Sequence, residues 1–199
     1  FRGNGAWKEA LPQITQLTNR PLILGRSEST NNLRNKICQE LRDQNLFVYS
    51  ANLHFDCCQE DLSRIKKIIV NTKCDAIIAA GGGKVLDAGK YLAEYFSVPC
   101  ITVPLSASTC AGWTALSNIY TKNGQFIKDI VLKACPKILV FDHQFIQTAP
   151  IRTLASGIAD ALAKWYESSL TSAVIDDGLV QQAIQISRVL RDQLLIDGE

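Results

Sequence analysis

Several residue types and patterns are missing from this sequence. It has no methionine, even at position 1, and only two histidines in 199 residues. Without an initiating methionine, we expect the chain to be a fragment of a longer protein. The longest apolar runs are strand-sized, which predicts no membrane-spanning segment. A net charge of +2 and a pI near 8.2 are too close to balance to indicate a nucleic-acid partner.

Paired cysteine motifs are also missing. The sequence contains seven cysteines, an odd number, and none forms a C-x-x-C pair. This pattern predicts neither a disulfide framework nor a zinc ribbon. Reduced thiols are typical of a cytoplasmic protein, which is the location we expect. With 47% hydrophobic and 20% charged residues, the composition is that of an ordinary globular protein.

The stretch from Cys74 to Phe96 carries the clearest local pattern. A β-branched apolar run over 76–80 predicts a buried strand, three glycines follow at 81–83, and residues from Lys84 onward recur at helical spacing. Free N–H groups at the start of a helix bind anions, so this turn predicts a phosphate site. The spacing matches neither the G-x-G-x-x-G fingerprint nor a P-loop, and a plain tight turn remains an alternative.

The rest of the chain divides into two patterns. Predicted strands at 21–25, 47–49, 76–80 and 100–103 alternate with helices at 32–42, 60–70 and from 84, which indicates a parallel sheet covered on both faces. A hairpin over 118–132, turning at Asn123-Gly124, and a strand at 137–141 follow. From 151 the pattern is helical, at 153–168 and 177–195. We therefore predict an α/β domain over 1–149 and the beginning of a helical domain over 150–199.

Three segments together resemble a known family. They are GGGKVLDAGK, VPLSASTCAGWTALSNIYTKNGQF and APIRTLASGIADALAKWYES. In this order and spacing they resemble the glycerol dehydrogenase branch of the metal-dependent, or iron-containing, alcohol dehydrogenase superfamily. Residues 157–167 are the most specific part. The resemblance implies a Rossmann-like, dinucleotide-binding α/β domain, followed by an all-helical domain that holds a metal.

The resemblance also implies an activity. Enzymes of this family transfer a hydride between an alcohol carbon and the nicotinamide of NAD or NADP. A divalent metal, zinc or iron, holds the alcohol oxygen, because a Lewis acid stabilises the developing alkoxide. The expected partner is therefore a small-molecule alcohol or polyol, and we expect neither nucleic acid nor membrane as a partner. We also expect a homo-oligomer.

By position, the resemblance assigns roles to individual residues. Those expected to bind the cofactor pyrophosphate are Gly82, Gly83 and Lys84, with Asp87 in the same motif. Those expected along the nicotinamide half or the adjoining cofactor wall are Ser108, Thr109, Thr114, Leu116 and Tyr120. Asp160 matches the carboxylate metal ligand. From the residues alone, we would favour a structural role for every one of these except the glycines, as a turn cap, a core side chain or a solvated carboxylate.

Two positions depart from the family pattern. The family usually has an acidic residue after the first strand to bind the adenosine ribose, but Arg26 follows Leu24-Gly25 here. A guanidinium pairs a 2′-phosphate rather than accepting hydroxyl hydrogen bonds, so Arg26 predicts that NADPH binds at least as well as NADH. Cys110 stands where glycerol dehydrogenases carry a substrate-contacting Asp. A thiol is a weak hydrogen-bond partner, which leaves recognition of glycerol itself open.

The family's two histidine metal ligands have no counterpart in this chain. His54 and His143 fall elsewhere, in predicted loops, and are expected to be ordinary solvated side chains. One carboxylate cannot retain zinc, so we expect the missing ligands downstream of 199. Two alternatives remain open. One is a lyase similar to dehydroquinate synthase, and the other is a dinucleotide-binding module without catalysis.

Overall fold

The structure is a computed structural model that describes residues 1–172 and 174–197. The chain forms two compact units, which we describe separately. The first comprises Phe1–Ser106 and Cys110–Ala149, and the second comprises Ala107–Thr109 and the chain from Pro150. The predicted second region, 150–199, includes three residues that lie outside the described part of the chain.

Nine strands and five α-helices build the described part of the first unit. The strands are β1 Arg2–Gly3, β2 Pro21–Gly25, β3 Tyr49–Asn52, β4 Ala76–Gly81, β5 Cys100–Pro104, β6 Leu116–Tyr120, β7 Phe126–Val131, β8 Ile138–Leu139 and β9 Phe141–Asp142. The helices are α1 Ala6–Leu17, α2 Asn31–Asp43, α3 Gln59–Thr72, α4 Gly83–Phe96 and α5 His143–Ile146, with a 3₁₀ turn at Glu28–Thr30.

The central sheet is parallel, as predicted, with five strands in the order β3-β2-β4-β5-β8. Two separate hydrophobic clusters cover its faces, because alternate residues of each strand point to opposite sides. Ile23 and Ile78 lie in one cluster, and Leu22 and Ile77 lie in the other. The chain places β3 on one side of β2 and then crosses to the other side to form β4, so the strand order reverses between β2 and β4. Ligands in such sheets bind at the carboxyl ends of the strands beside this reversal.

One predicted strand is wrong in position. The pattern indicated 47–49, whereas β3 spans Tyr49–Asn52 and pairs with β2 from Leu22. Phe47 is 66% exposed, and its ring lies 5.6 Å from the Arg20 guanidinium carbon. Because β3 is an edge strand covered on one side, it does not require the apolar residues on which the prediction relied.

The predicted strand at 137–141 divides in two. β8 pairs with β5, and β9 pairs with β1 in a separate two-stranded sheet. Both β1 and α1 were missed by the sequence reasoning. Asp142 connects these pieces, since its buried carboxylate accepts hydrogen bonds from Trp7 N at 2.9 Å and Gln144 N at 2.9 Å. The predicted hairpin is confirmed as β6 and β7, with Gly124 at φ +82° in the turn.

The described part of the second unit contains α6 Ile151–Thr171 and α7 Gly178–Asp197. Ser168 and Ser187 hydrogen-bond between the two helices at 2.9 Å, and Ile184 of α7 is buried. Apolar residues of α7 are exposed, with Leu179 at 77% and Ile186 at 70%. No helix in the described ranges has the length and apolar character that crossing a bilayer demands.

Candidate functional site

The glycine turn lies at the carboxyl end of β4, where the sequence predicted a phosphate site. Gly82 is the N-cap of α4 in an extended conformation, and no side chain caps the helix. A Cβ built at Gly82 would meet only the Ser106 hydroxyl oxygen, at 3.7 Å. A Cβ at Gly81 would stand 2.8 Å from Val85. Gly81 is therefore required by packing, whereas the space beside Gly82 is open to a ligand.

Lys84 lies in the first turn of α4 and is already paired. Its ammonium donates to the carboxylate of Asp56, which is 1% exposed and follows β3. The other oxygen of Asp56 accepts a hydrogen bond from Cys57 N at 2.8 Å. The Lys84 side chain remains 48% exposed. The charge at the phosphate turn is thus fixed in place by a buried carboxylate that the sequence reasoning missed.

Asp87 lies further along α4 and faces the protein interior. Its carboxylate is 3.0 Å from the Lys90 ammonium, and both side chains are buried. Burial raises the pKa of Asp87, while the charge of Lys90 and the backbone N–H of Asn118 oppose that shift. The role of Asp87 at the pyrophosphate stays a prediction.

Lys90 links α4 to the segment that precedes β6. Besides Asp87, the ammonium donates to the carbonyl and hydroxyl oxygens of Thr114, at 3.3 and 3.0 Å, and to the carbonyl oxygen of Leu116. Thr114 and Leu116 are the residues predicted for the cofactor wall. Lys90 was missed, although the D-x-x-K spacing in GGGKVLDAGK places the two charges on one helix face.

Tyr120, the third predicted wall residue, is attached to the loop that carries Asp56. Its backbone N–H donates to Cys57 O at 2.9 Å. Burial raises the pKa of the Tyr120 phenol, and the charges of Asp87 and Asp56 act in the same direction. A side-chain hydrogen bond with Asn118 opposes this shift.

The carboxyl end of β2 carries two guanidinium groups. Arg26 is exposed and donates to Phe55 O at 2.9 Å. Arg34 is 4% exposed, and it donates to Ser27 O at 3.0 Å and to Asn31 Oδ1 at 2.8 Å. Burial lowers the pKa of Arg34 below its ordinary value. A Cβ at Gly25 would stand 2.1 Å from Arg34 Nε, so the glycine allows the arginine to lie against the strand end.

Cys110 lies in the turn after β5 and belongs to the first unit. Its carbonyl oxygen accepts a hydrogen bond from Trp113 N at 3.0 Å, and its thiol is exposed. Every cysteine of the chain is a free thiol. His54 is exposed and His143 is half-buried at the start of α5. Neither histidine stands at a predicted ligand position.

Within the second unit, α6 packs closely against the segment that contains Ser108 and Thr109. A Cβ at Gly157 would stand 1.8 Å from Ala107 O and 3.2 Å from the Ser108 Cα, so only glycine permits this contact. Asp160 follows one turn later on α6, on a neighbouring part of the same face. The structure therefore juxtaposes two predicted functional stretches, the nicotinamide segment and the helix of the predicted metal ligand.

Asp160 is half-exposed and lies 3.5 Å from the Lys164 ammonium. Over residues 1–172 and 174–197, no group of three or more His, Cys, Asp or Glu side chains stands close enough to hold a metal ion. The described residues therefore do not fit a metal by themselves, and the assignment of Asp160 stays a prediction.

The glycine turn, the reversal of strand order beside it and the helix N-terminus together are typical of the Rossmann-like class of α/β fold. A family model described as iron-containing alcohol dehydrogenase matches residues 1–143. The chain belongs to this family, as the sequence resemblance predicted.

Individual relatives agree with this assignment. An uncharacterized oxidoreductase of Synechocystis is 38% identical to this chain. The match covers 95% of the chain and 49% of that protein. A glycerol dehydrogenase of Escherichia coli is 33% identical to this chain. The match covers 98% of the chain and 53% of that protein. The crystal structure of a probable glycerol dehydrogenase from Sinorhizobium meliloti superposes with a TM-score of 0.84 and 25% sequence identity. The match covers all of this chain and 56% of the Sinorhizobium chain. The chain thus spans about half the length of these relatives.

Proposed function

We propose that this chain carries the dinucleotide-binding part of a metal-assisted alcohol or polyol dehydrogenase. The observation that carries the proposal is the uncapped N-terminus of α4 at Gly82, beside the reversal of strand order and with Lys84 in its first turn. Such an end presents backbone N–H groups and a positive partial charge to an anion. Family membership supports a nicotinamide dinucleotide as that anion.

Different residues around the glycine turn would bind different parts of the cofactor. Backbone N–H groups of Gly83 and Lys84 would donate to the pyrophosphate, and the half-exposed Lys84 ammonium would add a charge-assisted hydrogen bond. Thr114, Leu116 and Tyr120 would line the neighbouring part of the cofactor. When bound, the nicotinamide supplies the hydride chemistry. The side chains of this chain orient the ring and exclude water.

The nicotinamide end is assigned to Ser108 and Thr109. Support comes from Gly157, whose missing Cβ lets α6 approach the backbone of this segment. Asp160 is proposed as one metal ligand on the same helix. Because the described residues do not complete a metal site, we derive no catalytic step through the metal.

The substrate is proposed to be a small alcohol or polyol. Several relatives are named glycerol dehydrogenases, and another is named a glycolaldehyde reductase. Cys110 is the candidate substrate contact, and its exposed thiol is available for it. Because a thiol is a weaker hydrogen-bond partner than a carboxylate, we expect a higher KM for glycerol than for a less polar alcohol.

The experiment is a turnover assay of the purified full-length protein with NAD⁺ or NADP⁺, zinc or iron, and a panel of small alcohols, followed by absorbance of the reduced nicotinamide. Turnover with at least one alcohol supports the proposal. Tight binding of NADH or NADPH without turnover of any alcohol would favour the non-catalytic module instead.

Two glycine variants test the binding surface separately from folding. Gly82→Ala should leave the urea midpoint nearly unchanged and weaken dinucleotide binding about tenfold, because the added methyl group enters the open space beside the turn. Gly81→Ala is the matched control. It should lower the urea midpoint, because its methyl group would collide with Val85. Unchanged affinity in Gly82→Ala would contradict the phosphate site.

A further inference from the structure

The loop after β3 joins the parts of the proposed cofactor site. Asp56 accepts a hydrogen bond from the Lys84 ammonium in the first turn of α4. The next residue, Cys57, accepts from Tyr120 N at 2.9 Å at the end of β6. The hairpin turn is close too, since a Cβ built at Gly124 would lie 4.0 Å from the carboxylate of Asp56. One short loop therefore contacts the phosphate turn and the cofactor wall.

The burial of Asp56 makes this contact specific. The carboxylate is 2% exposed, and its two oxygens are used by Cys57 N and by the Lys84 ammonium. A buried carboxylate keeps its cation close, because separating the pair would leave a desolvated charge. Lys84 itself is 48% exposed. An ammonium has three N–H donors, so two remain available after the bond to Asp56.

We infer that Asp56 is a positioning residue for dinucleotide binding, which holds the Lys84 ammonium with its remaining N–H groups directed to the phosphate turn. The inference rests on the proposed function. A flexible lysine loses side-chain entropy when it binds a phosphate, and prior anchoring by Asp56 reduces that loss. The negative charge of Asp56 opposes the anion, but it is balanced by Lys84 before the ligand arrives.

The test measures dissociation constants for NADH and for inorganic pyrophosphate in four proteins: the parent, Asp56→Asn, Lys84→Gln and the double variant. Lys84→Gln should weaken both ligands by roughly ten- to a hundredfold, which is the usual effect of losing a charge-assisted hydrogen bond. Asp56→Asn should weaken them about three- to tenfold. In the Lys84→Gln background, Asp56→Asn should have no further effect, because its role acts through Lys84.

Two more variants separate positioning from folding. Asp56→Glu keeps the charge but moves the carboxylate by one methylene, and positioning predicts weaker binding in this variant as well. If Asp56→Asn does not fold, the dissociation constants of Asp56→Glu test the inference in its place. Asp75→Asn is the matched control. Its carboxylate lies at the opposite end of the sheet, where it accepts from Asn19 N and Arg20 N, both at 2.9 Å. It should lower the urea midpoint without changing either dissociation constant.

The outcomes distinguish this inference from the proposed function. Tighter binding by Asp56→Asn would show that Asp56 competes with phosphate, and would overturn the inference. An equal loss in both backgrounds would overturn it too, because that pattern reports only loop damage. A parent protein that binds pyrophosphate with the predicted coupling but binds neither NADH nor NADPH would retain the role of Asp56 in positioning Lys84 and refute the proposed cofactor.

Discussion

The buried ion pair between Asp87 and Lys90 allows a quantitative prediction about stability. The Lys90 ammonium is 3.0 Å from Asp87, and the two side chains are 9% and 1% exposed for Asp87 and Lys90 respectively. Lys90→Met removes the charge and the donors but nearly conserves side-chain length and volume. The variant therefore leaves no large cavity, and its main consequence is a buried carboxylate without a cation.

Breaking a buried ion pair in this way costs about 3–5 kcal/mol. The lost bonds to Thr114 and Leu116 are part of the same disruption, so we do not add them. Domains of this kind have a free energy of unfolding of about 5–15 kcal/mol. Each kcal/mol shifts Tm by roughly 2–4 °C at this size, which predicts a fall on the order of 10 °C. Urea unfolding followed by circular dichroism measures the change directly.

The pH dependence identifies the cause. Burial raises the pKa of Asp87 from 3.8 in the folded protein, and loss of Lys90 raises it further. A carboxyl group with a raised folded-state pKa binds its proton more tightly when folded, so stability falls as pH rises from the unfolded pKa through the folded pKa. The deficit of Lys90→Met relative to the parent should therefore be smallest in acid, where Asp87 is protonated, and should grow as the pH rises through the folded-state pKa of Asp87.

A second substitution supplies the control. Asp87→Asn in the Lys90→Met background removes the unpaired charge but keeps an oxygen for the N–H of Asn118. The double variant should be more stable than Lys90→Met at neutral pH. If the deficit of Lys90→Met is the same at low and high pH, or if Asp87→Asn restores nothing, the reasoning from the buried charge is refuted.

Three further predictions concern the predicted site residues. Gly157→Ala should destabilise the protein and weaken turnover because its methyl group meets Ala107 O at 1.8 Å, whereas Gly178→Ala, with nothing within 4 Å, should be neutral or stabilising in thermal melts. Arg26→Ala should weaken NADPH binding about tenfold and NADH binding little, and side-by-side titrations with a strong NADH preference in the parent would remove this claim. Asp160→Ala should abolish metal retention in the full protein, and unchanged zinc or iron by elemental analysis would refute the ligand assignment.

The fold was largely predictable from sequence where burial is complete. β4 is buried at every position, so its apolar run and the following glycines identified it without ambiguity. β3 was misplaced because an edge strand alternates between half-buried and exposed residues. β1 and β9 are two residues each, and their pairing joins the two ends of the first unit. A two-residue strand is too short to show a periodic pattern, and its partner strand lies far away in the sequence.

The candidate site was predictable only in part, for a different reason. Glycines and charges around Lys84 have recognisable spacing, so the glycine turn at the start of α4 was visible in the sequence. Asp56 was not, because its partner lies 28 residues away and only the sheet topology brings the two together. Arg34 was hidden similarly, since its helix carries it under Gly25 at the end of β2. Tertiary pairing of polar residues has no local pattern that a single sequence displays.

Two lysines of α4 differ in burial, and we expect the exposed one to act in ligand binding and the buried one in stability. Lys84 is 48% exposed and Lys90 is 1% exposed, although each pairs with a buried aspartate. A ligand in solvent can reach the first but not the second. Variants of Lys84 should therefore change affinity and, because buried Asp56 loses its cation, also lower the urea midpoint, whereas variants of Lys90 should change the midpoint first. Affinity would then follow only to the extent that Thr114 and Leu116 move. Measuring both quantities in both variants decides whether the cofactor wall depends on Lys90 for its position.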